Sequence, residues 1–183
     1  MTGRRGHFDN GHGLPDHTVV HHGRWYSNTL DPHDTHESGF HAGTWQSAVD
    51  RLSGNLDEES SWRDPGDIMN AEVHSYAVPN NLIDQKMWND PMTRRPSAEL
   101  TPVDEAPEDV LKQKVLPYEN EYEDKGSTSF LIHPDLVFSG RIKHLGRQII
   151  ASLYIPEDDS DDEPELAWHP NAKKFDMNNL EKD

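Results

Sequence analysis

The apolar residues of this chain arrive in short runs, and that limits what it can fold into. TVVHH, AEVHSYAVP, FLIHPDLVF and QIIASLYIP are the main ones, each bounded by Gly, Pro or polar residues. Runs of this length suit strands rather than long buried helices. Only 32% of the 183 residues are apolar and the mean hydropathy is -0.94, so together the runs fill one modest core with appended arms. Many short strands with a few short helices and no internal repeat predict an α+β fold rather than βαβ units. There is no cysteine, which excludes disulfides and thiolate metal sites. The lack of a long apolar stretch or signal-like segment predicts a soluble, cytoplasmic protein with no membrane contact.

Three regions are expected. Residues 1–17 (MTGRRGHFDNGHGLPDH) read as a flexible arm, 18–155 as the folded domain and 156–183 as an acidic tail. A first strand is predicted over 18–22, a polar loop over 24–38 and a second short strand over 40–42. Thr44 looks like a helix N-cap, because Trp45, Ala48, Val49 and Leu52 follow with helical spacing and Gly54 suits the end. A strand over 72–78 ends at Pro79, and 80–89 reads as a short helix or turn. A proline-punctuated linker over 91–107 leads into a helix from Pro107 through Leu116. Strands over 127–137 and 148–155 follow. The run EDDSDDEPE holds seven acids in nine positions and stays solvated, either as a solubilising tail or as a contact for a basic protein partner. Trp168 and Phe175 are candidates to dock back onto the domain.

The formal charge of -17 argues against broad contact with nucleic-acid phosphates. The one basic cluster, RIKHLGR, reads as a solvated strand edge. Eight of the twelve histidines lie in residues 1–41, mixed with carboxylates in a set that suits Zn, Ni or Fe. No segment has a specific metal spacing, however, and an arm with incidental metal affinity accounts for them. Nucleophilic catalysis lacks both a cysteine and a G-x-S-x-G turn.

Two segments mark a ligand site. His21-His22-Gly23-Arg24 and Gly39-Phe40-His41-Ala42-Gly43-Thr44 each place a histidine beside a glycine that permits close backbone approach. From neighbouring strands they can line one cleft, offering imidazole donors, acceptors and a stacking face.

HHGR, a polar loop, then GFHAGTWQSAVDRL resembles the ADP-ribosyltransferase fold, in the branch that includes the poly-ADP-ribose polymerases. His22-Gly23 match the family's His-Gly, Gly39 matches the glycine of its Gly-x-Tyr-Phe-Ala, and His41 stands for the tyrosine. The helix from Thr44 and the strand AEVHSYAVP fall where expected, and Asn120-Glu121-Tyr122 matches the Asn-Glu-Tyr that carries the catalytic glutamate. The resemblance spans roughly residues 18–140 and implies a small mixed or antiparallel split sheet. It also implies NAD in the cleft and ADP-ribose transfer to a macromolecular acceptor. His22 would bond a ribose hydroxyl, Gly23 would receive the nicotinamide amide, and Arg24, Ala42 and Gly43 would complete the lining. His41 would stack on the nicotinamide ring, adding a group that titrates near pH 6 to 7. The acid departs from the pattern. Matching FLIHPDLV to the family strand after Asn-Glu-Tyr puts Ser127, Thr128 or Ser129 where the glutamate belongs. Glu121 or Glu123 would then act from the preceding loop, or the site binds without turnover. The alternative function is non-enzymatic: a structural or interaction protein, such as a virus-particle component, whose arms drape over neighbouring subunits.

Overall fold

The computed structural model describes residues 16–27, 39–54, 68–92, 100–154, 165–169 and 175–181. Residues 1–15 of the expected arm, most of the loop at 24–38 and the acidic run at 157–164 lie outside the described residues, and His17, expected in the arm, opens the first strand. Two antiparallel sheets form an α+β architecture. The larger contains β1 (His17–Ser27), β3 (Ile68–Pro79), β6 (Lys143–Tyr154) and β7 (Glu165–Trp168), in the order β1-β3-β6-β7. The smaller has β2 (Phe40–Ala42) beside β5 (Thr128–Ile132) and then β4 (Leu116–Glu119). The helices are short: α1 (Trp45–Gly54), α2 (Glu108–Leu111) and α3 (Pro134–Phe138). Among the described residues, no helix is long and apolar enough to cross a membrane.

Among the described residues, one backbone bridge links the two sheets. His21 N–H donates to the Gly43 carbonyl at 2.8 Å, and Gly43 N–H donates back to His21 at 2.9 Å. Beyond this bridge β1 and β2 part. One core lies between α1 and the larger sheet, with Trp25, Leu52, Met69, Val73, Ile150 and Leu153 buried in it. Another joins the two sheets through Val20, Val78, Ala42, Phe130 and Ile132. Trp88, Val103, Leu111, Leu116 and Tyr118 form a third, so the proline-punctuated stretch is partly core and not a linker.

Several boundaries differ from expectation, for identifiable reasons. β1 runs on to Ser27 because Arg24–Ser27 pair with Met69–Glu72 and Trp25 is buried at 4% exposure. β3 starts four residues early because Met69 and Ala71 are fully buried on its inner face. The helix expected to reach Leu116 stops at Leu111, and Leu116 instead pairs with Leu131 in the smaller sheet. The expected strand 127–137 is cut at His133, because Pro134 has no amide hydrogen for a ladder and suits a helix start. His133 caps α3 by accepting Asp135 N–H on Nδ1 at 3.1 Å.

The RIKHLGR cluster is only partly the solvated edge expected: Arg141 and Lys143 are exposed, while His144 and Arg147 are engaged. Its Lys143–Arg147 stretch pairs with β3, Arg147 bridges on its other side to Glu181, His144 stacks on His74 with centroids 5.1 Å apart, and an Arg147 guanidinium nitrogen sits 2.9 Å from the buried Glu72 carboxylate. The sheet also extends past residue 155, since β7 pairs with Ala151–Tyr154. Phe175 docks as anticipated, its ring 4.4 Å from His21 and 5.9 Å from Trp45. Trp168 stays 43% exposed.

Candidate functional site

The site begins with the alternation of β1. Successive strand side chains point to opposite faces, so His21, Gly23 and Trp25 share one face and His22, Arg24 and Tyr26 the other. The first face meets α1: Trp25 Nε1–H donates to the Leu52 carbonyl at 3.0 Å. Gly23 sits directly beneath that helix, and a Cβ there would lie 2.6 Å from the Ala48 carbonyl oxygen and 2.9 Å from Leu52 Cγ. Only a glycine permits this spacing. His21 bonds both its backbone groups to Gly43, so it forms a non-hydrogen-bonded pair with Ser75 across β1 and β3. Two residues on, Gly23 has the same phase. Its N–H and C=O therefore point away from β3, into the gap where the sheets part.

That gap is a small pocket, partly open to solvent, with a cavity volume of only about 10 Å³. It is lined by His21, Gly23, His41, Ala42, Gly43, Ser47, Ala48, Arg51, Glu123 and Ser129. That is room for about one water, far below the roughly 300–1,000 Å³ of sites that bury a whole small ligand, so a ligand places only a tip here unless the lining opens.

Of the residues expected at the site, Gly23, His41, Ala42, Gly43 and Glu123 meet here. His22 does not line the pocket. Its side chain lies on the opposite face of β1, where Nδ1–H donates to the His41 carbonyl at 2.6 Å and the ring packs 5.0 Å from Phe40. Burial pushes this imidazole down to about 3 against the help of that hydrogen bond, and the charges of Arg51, His74 and His41 add to the shift. His22 is a neutral strut behind His41 rather than a ligand contact. Arg24 is on the same far face, its guanidinium 5.3 Å from the centre of the Tyr26 ring. Glu121 is exposed and outside the pocket; its backbone N–H donates to Asp90 Oδ2 at 2.9 Å. Asn120-Glu121-Tyr122 forms part of the turn between β4 and β5, not a strand.

Sequence reasoning missed His21, Ser47, Arg51 and, as a lining hydroxyl, Ser129. His21 Nδ1 lies 2.8 Å from the fully buried Ser75 hydroxyl, and its ring meets Trp45 edge-on at 5.4 Å. Its place was readable from Gly23: a strand glycine marks close approach, and the residue two before it shares that face. Arg51 Nε–H donates to both oxygens of Glu123 at 3.3 Å, with side chains 24% and 32% exposed. Ser129 is one of the three positions where the resemblance expected an acid.

The β4–β5 turn is held to α1 by more than that ion pair. Thr44 is the N-cap, accepting Ser47 N–H on Oγ1 at 3.0 Å, and the same hydroxyl donates to Asp124 Oδ2 at 2.5 Å. Asp124 N–H donates to Asp50 Oδ2 at 2.9 Å. Asp124 has φ 44° and Gly126 φ 87°, left-handed conformations that turn the loop back over the helix. Thr44→Ala removes both the cap and the bond to Asp124. It is expected to cost roughly 1 kcal/mol in urea denaturation, with Thr44→Ser recovering most of the loss.

Among the described residues, no group of three or more His, Asp or Glu is arranged to hold a metal ion. His7, His12, His33 and His36 lie outside them. Compared with known proteins, the chain matches no family model, no curated protein and no solved structure.

Proposed function

We propose that this pocket takes the nicotinamide end of NAD and that the chain is an ADP-ribosyltransferase-like enzyme. The observation that carries the reading is the convergence of three groups at the parting of the two sheets. These are the outward-facing backbone of Gly23, the ring of His41 and the carboxylate of Glu123. Gly23 pairs with a carboxamide, which needs one donor and one acceptor. His41 supplies the ring face. Glu123, rather than Glu121, supplies the acid, reaching the pocket from the β4–β5 turn while Ser129 occupies the strand position. Arg51, beside it, offers a cation to the pyrophosphate of the dinucleotide.

In the reaction the bond between the nicotinamide nitrogen and ribose C1′ breaks, and its electron pair leaves with nicotinamide. Glu123 holds a ribose hydroxyl and stabilises the cationic C1′ that develops. An acceptor oxygen, water in the simplest case, then bonds to C1′ and loses its proton. Glu123 is ion-paired to Arg51, so this pair must open for turnover. That pairing favours a second reading, in which the pocket binds NAD as a scaffold and does not turn it over.

The test measures NAD binding by calorimetry and nicotinamide release by chromatography, for wild type, Glu123→Gln and Glu121→Gln. Release is expected to fall at least tenfold in Glu123→Gln and to stay near wild type in Glu121→Gln. Binding without release by the wild type supports the scaffold. Neither binding nor release overturns both readings.

A further inference from the structure

Arg51 uses little of its hydrogen-bonding capacity. Its guanidinium carries five N–H donors in a planar fork. Only Nε–H is engaged, shared between the two Glu123 oxygens at 3.3 Å each. Strong charge-assisted pairs are about 2.7–2.9 Å long and often use two nitrogens of the fork at once. Among the described residues, none of the terminal N–H groups of Arg51 has a partner. Yet the side chain is only 24% exposed and stands in the pocket wall. It is the one arginine or lysine among the described lining residues. A largely buried cation with a single loose partner has donors to offer.

The Glu123 carboxylate can leave, although the turn that carries it is pinned. Asp124, the next residue, is held three ways. Its carboxylate accepts the Thr44 hydroxyl, its N–H donates to Asp50, and its carbonyl accepts Ser127 N–H at 3.0 Å. Glu121, two residues before Glu123, is tied through its N–H to Asp90. Between these anchors the Glu123 side chain is 32% exposed. Rotation about its χ angles carries the carboxylate into solvent while the turn stays in place. The pocket beside the pair has room for about one water. A phosphate group therefore reaches Arg51 from within the pocket by taking the place of the carboxylate. Its oxygens can engage two nitrogens of the fork together, which Glu123 does not do.

The geometry points to Arg51 as the receptor for a phosphate-bearing ligand, with Glu123 as the resident anion that occupies it until the ligand takes its place. The consequence for chemistry rests on the NAD reading. The pyrophosphate of the dinucleotide takes Arg51, and the same exchange releases Glu123 to the ribose hydroxyl. Ligand binding and the freeing of the acid are then one event.

Inorganic pyrophosphate tests the exchange, because it bears no ribose for Glu123 to hold. Calorimetric titrations at constant ionic strength compare full-length wild type, Glu123→Gln, Arg51→Gln and Arg51→Lys, each checked for folding by its Tm. Glu123→Gln removes both a competitor and a repelling charge, and it is expected to bind pyrophosphate about fivefold more tightly than wild type. Arg51→Gln is expected to lose binding. Arg51→Lys keeps the charge without the fork, so it should bind more weakly than wild type, and it serves if Arg51→Gln does not fold. Equal affinity of wild type and Glu123→Gln, or binding unchanged by the loss of Arg51, overturns the inference. So does the absence of pyrophosphate binding in all four proteins. The expected pattern in a protein that neither binds NAD nor releases nicotinamide supports the exchange and overturns the NAD reading alone. NAD binding and nicotinamide release without that pattern overturn the exchange alone.

Discussion

Between pH 7 and pH 4 the protein is expected to lose about 3 kcal/mol of folding stability through one imidazole, His22. The unfolded chain takes up a proton at this position below about pH 6.5, the ordinary histidine value. The folded chain refuses it until about pH 3, because the ring is buried and its Nδ1–H is already spent on the His41 carbonyl. Within that window the unfolded state binds more protons, so stability falls as pH falls, by up to about 1.4 kcal/mol per pH unit. Above pH 7 both states are neutral here and the contribution is flat. Arg51, His74 and His41 all oppose a positive charge on this ring. Urea denaturation at pH 7, 5 and 4 reads the effect directly. His22→Gln keeps a hydrogen-bond donor but cannot titrate, and its stability is expected to fall much less steeply over the same range. Parallel curves for the two proteins would show that the acid sensitivity comes from elsewhere.

His22 also shows where sequence reading stopped. The alternation of Val73, Ser75 and Ala77 in β3, and the capped helix after Thr44, needed only local periodicity, and both are present. The double histidine did not yield to the same treatment. His21 and His22 are adjacent and so must face opposite ways, and matching a His-Gly pair selected His22. The tertiary fact that decides between them is the position of α1, which presses on the face of Gly23 and therefore of His21. The length of β1 was hidden for a related reason. Arg24 and Tyr26 are polar at their tips, and their strand conformation comes from pairing with β3 rather than from an apolar run. Choosing between Glu121 and Glu123 required the path of a turn. Asp124 and Gly126 bend it so that Glu123 returns to Arg51 while Glu121 faces outward. Arg51 itself sits one turn beyond Ser47, at the edge of the apolar stripe, and nothing in its own neighbourhood of sequence says that it meets the β4–β5 turn.

Gly23→Ala is expected to destabilise the protein by about 2 kcal/mol, or roughly 4–8 °C in Tm for a chain of this size. Taken as a strand residue alone, the substitution should help, because alanine loses less backbone entropy on folding than glycine. The site reverses the sign. The new Cβ would lie 2.6 Å from the Ala48 carbonyl oxygen, a backbone atom that cannot turn aside unless α1 moves with it. Leu52 Cγ, at 2.9 Å, belongs to the same helix and blocks the same direction. α1 must therefore lift, and it carries Trp45 against His21, Ser47 at the pocket and Arg51 against Glu123. The loss of stability and the loss of site geometry have one origin, and they should appear together. On the proposed NAD reading, nicotinamide release is expected to drop in Gly23→Ala along with Tm. Gly126→Ala is a useful contrast: no atom lies within 4 Å of its Cβ position, although its φ of +87° strains an alanine locally. It should lower Tm without moving α1. A Gly23→Ala protein as stable as wild type would mean that α1 does not rest on β1 at this glycine, and the pocket built from that contact would have to be redrawn.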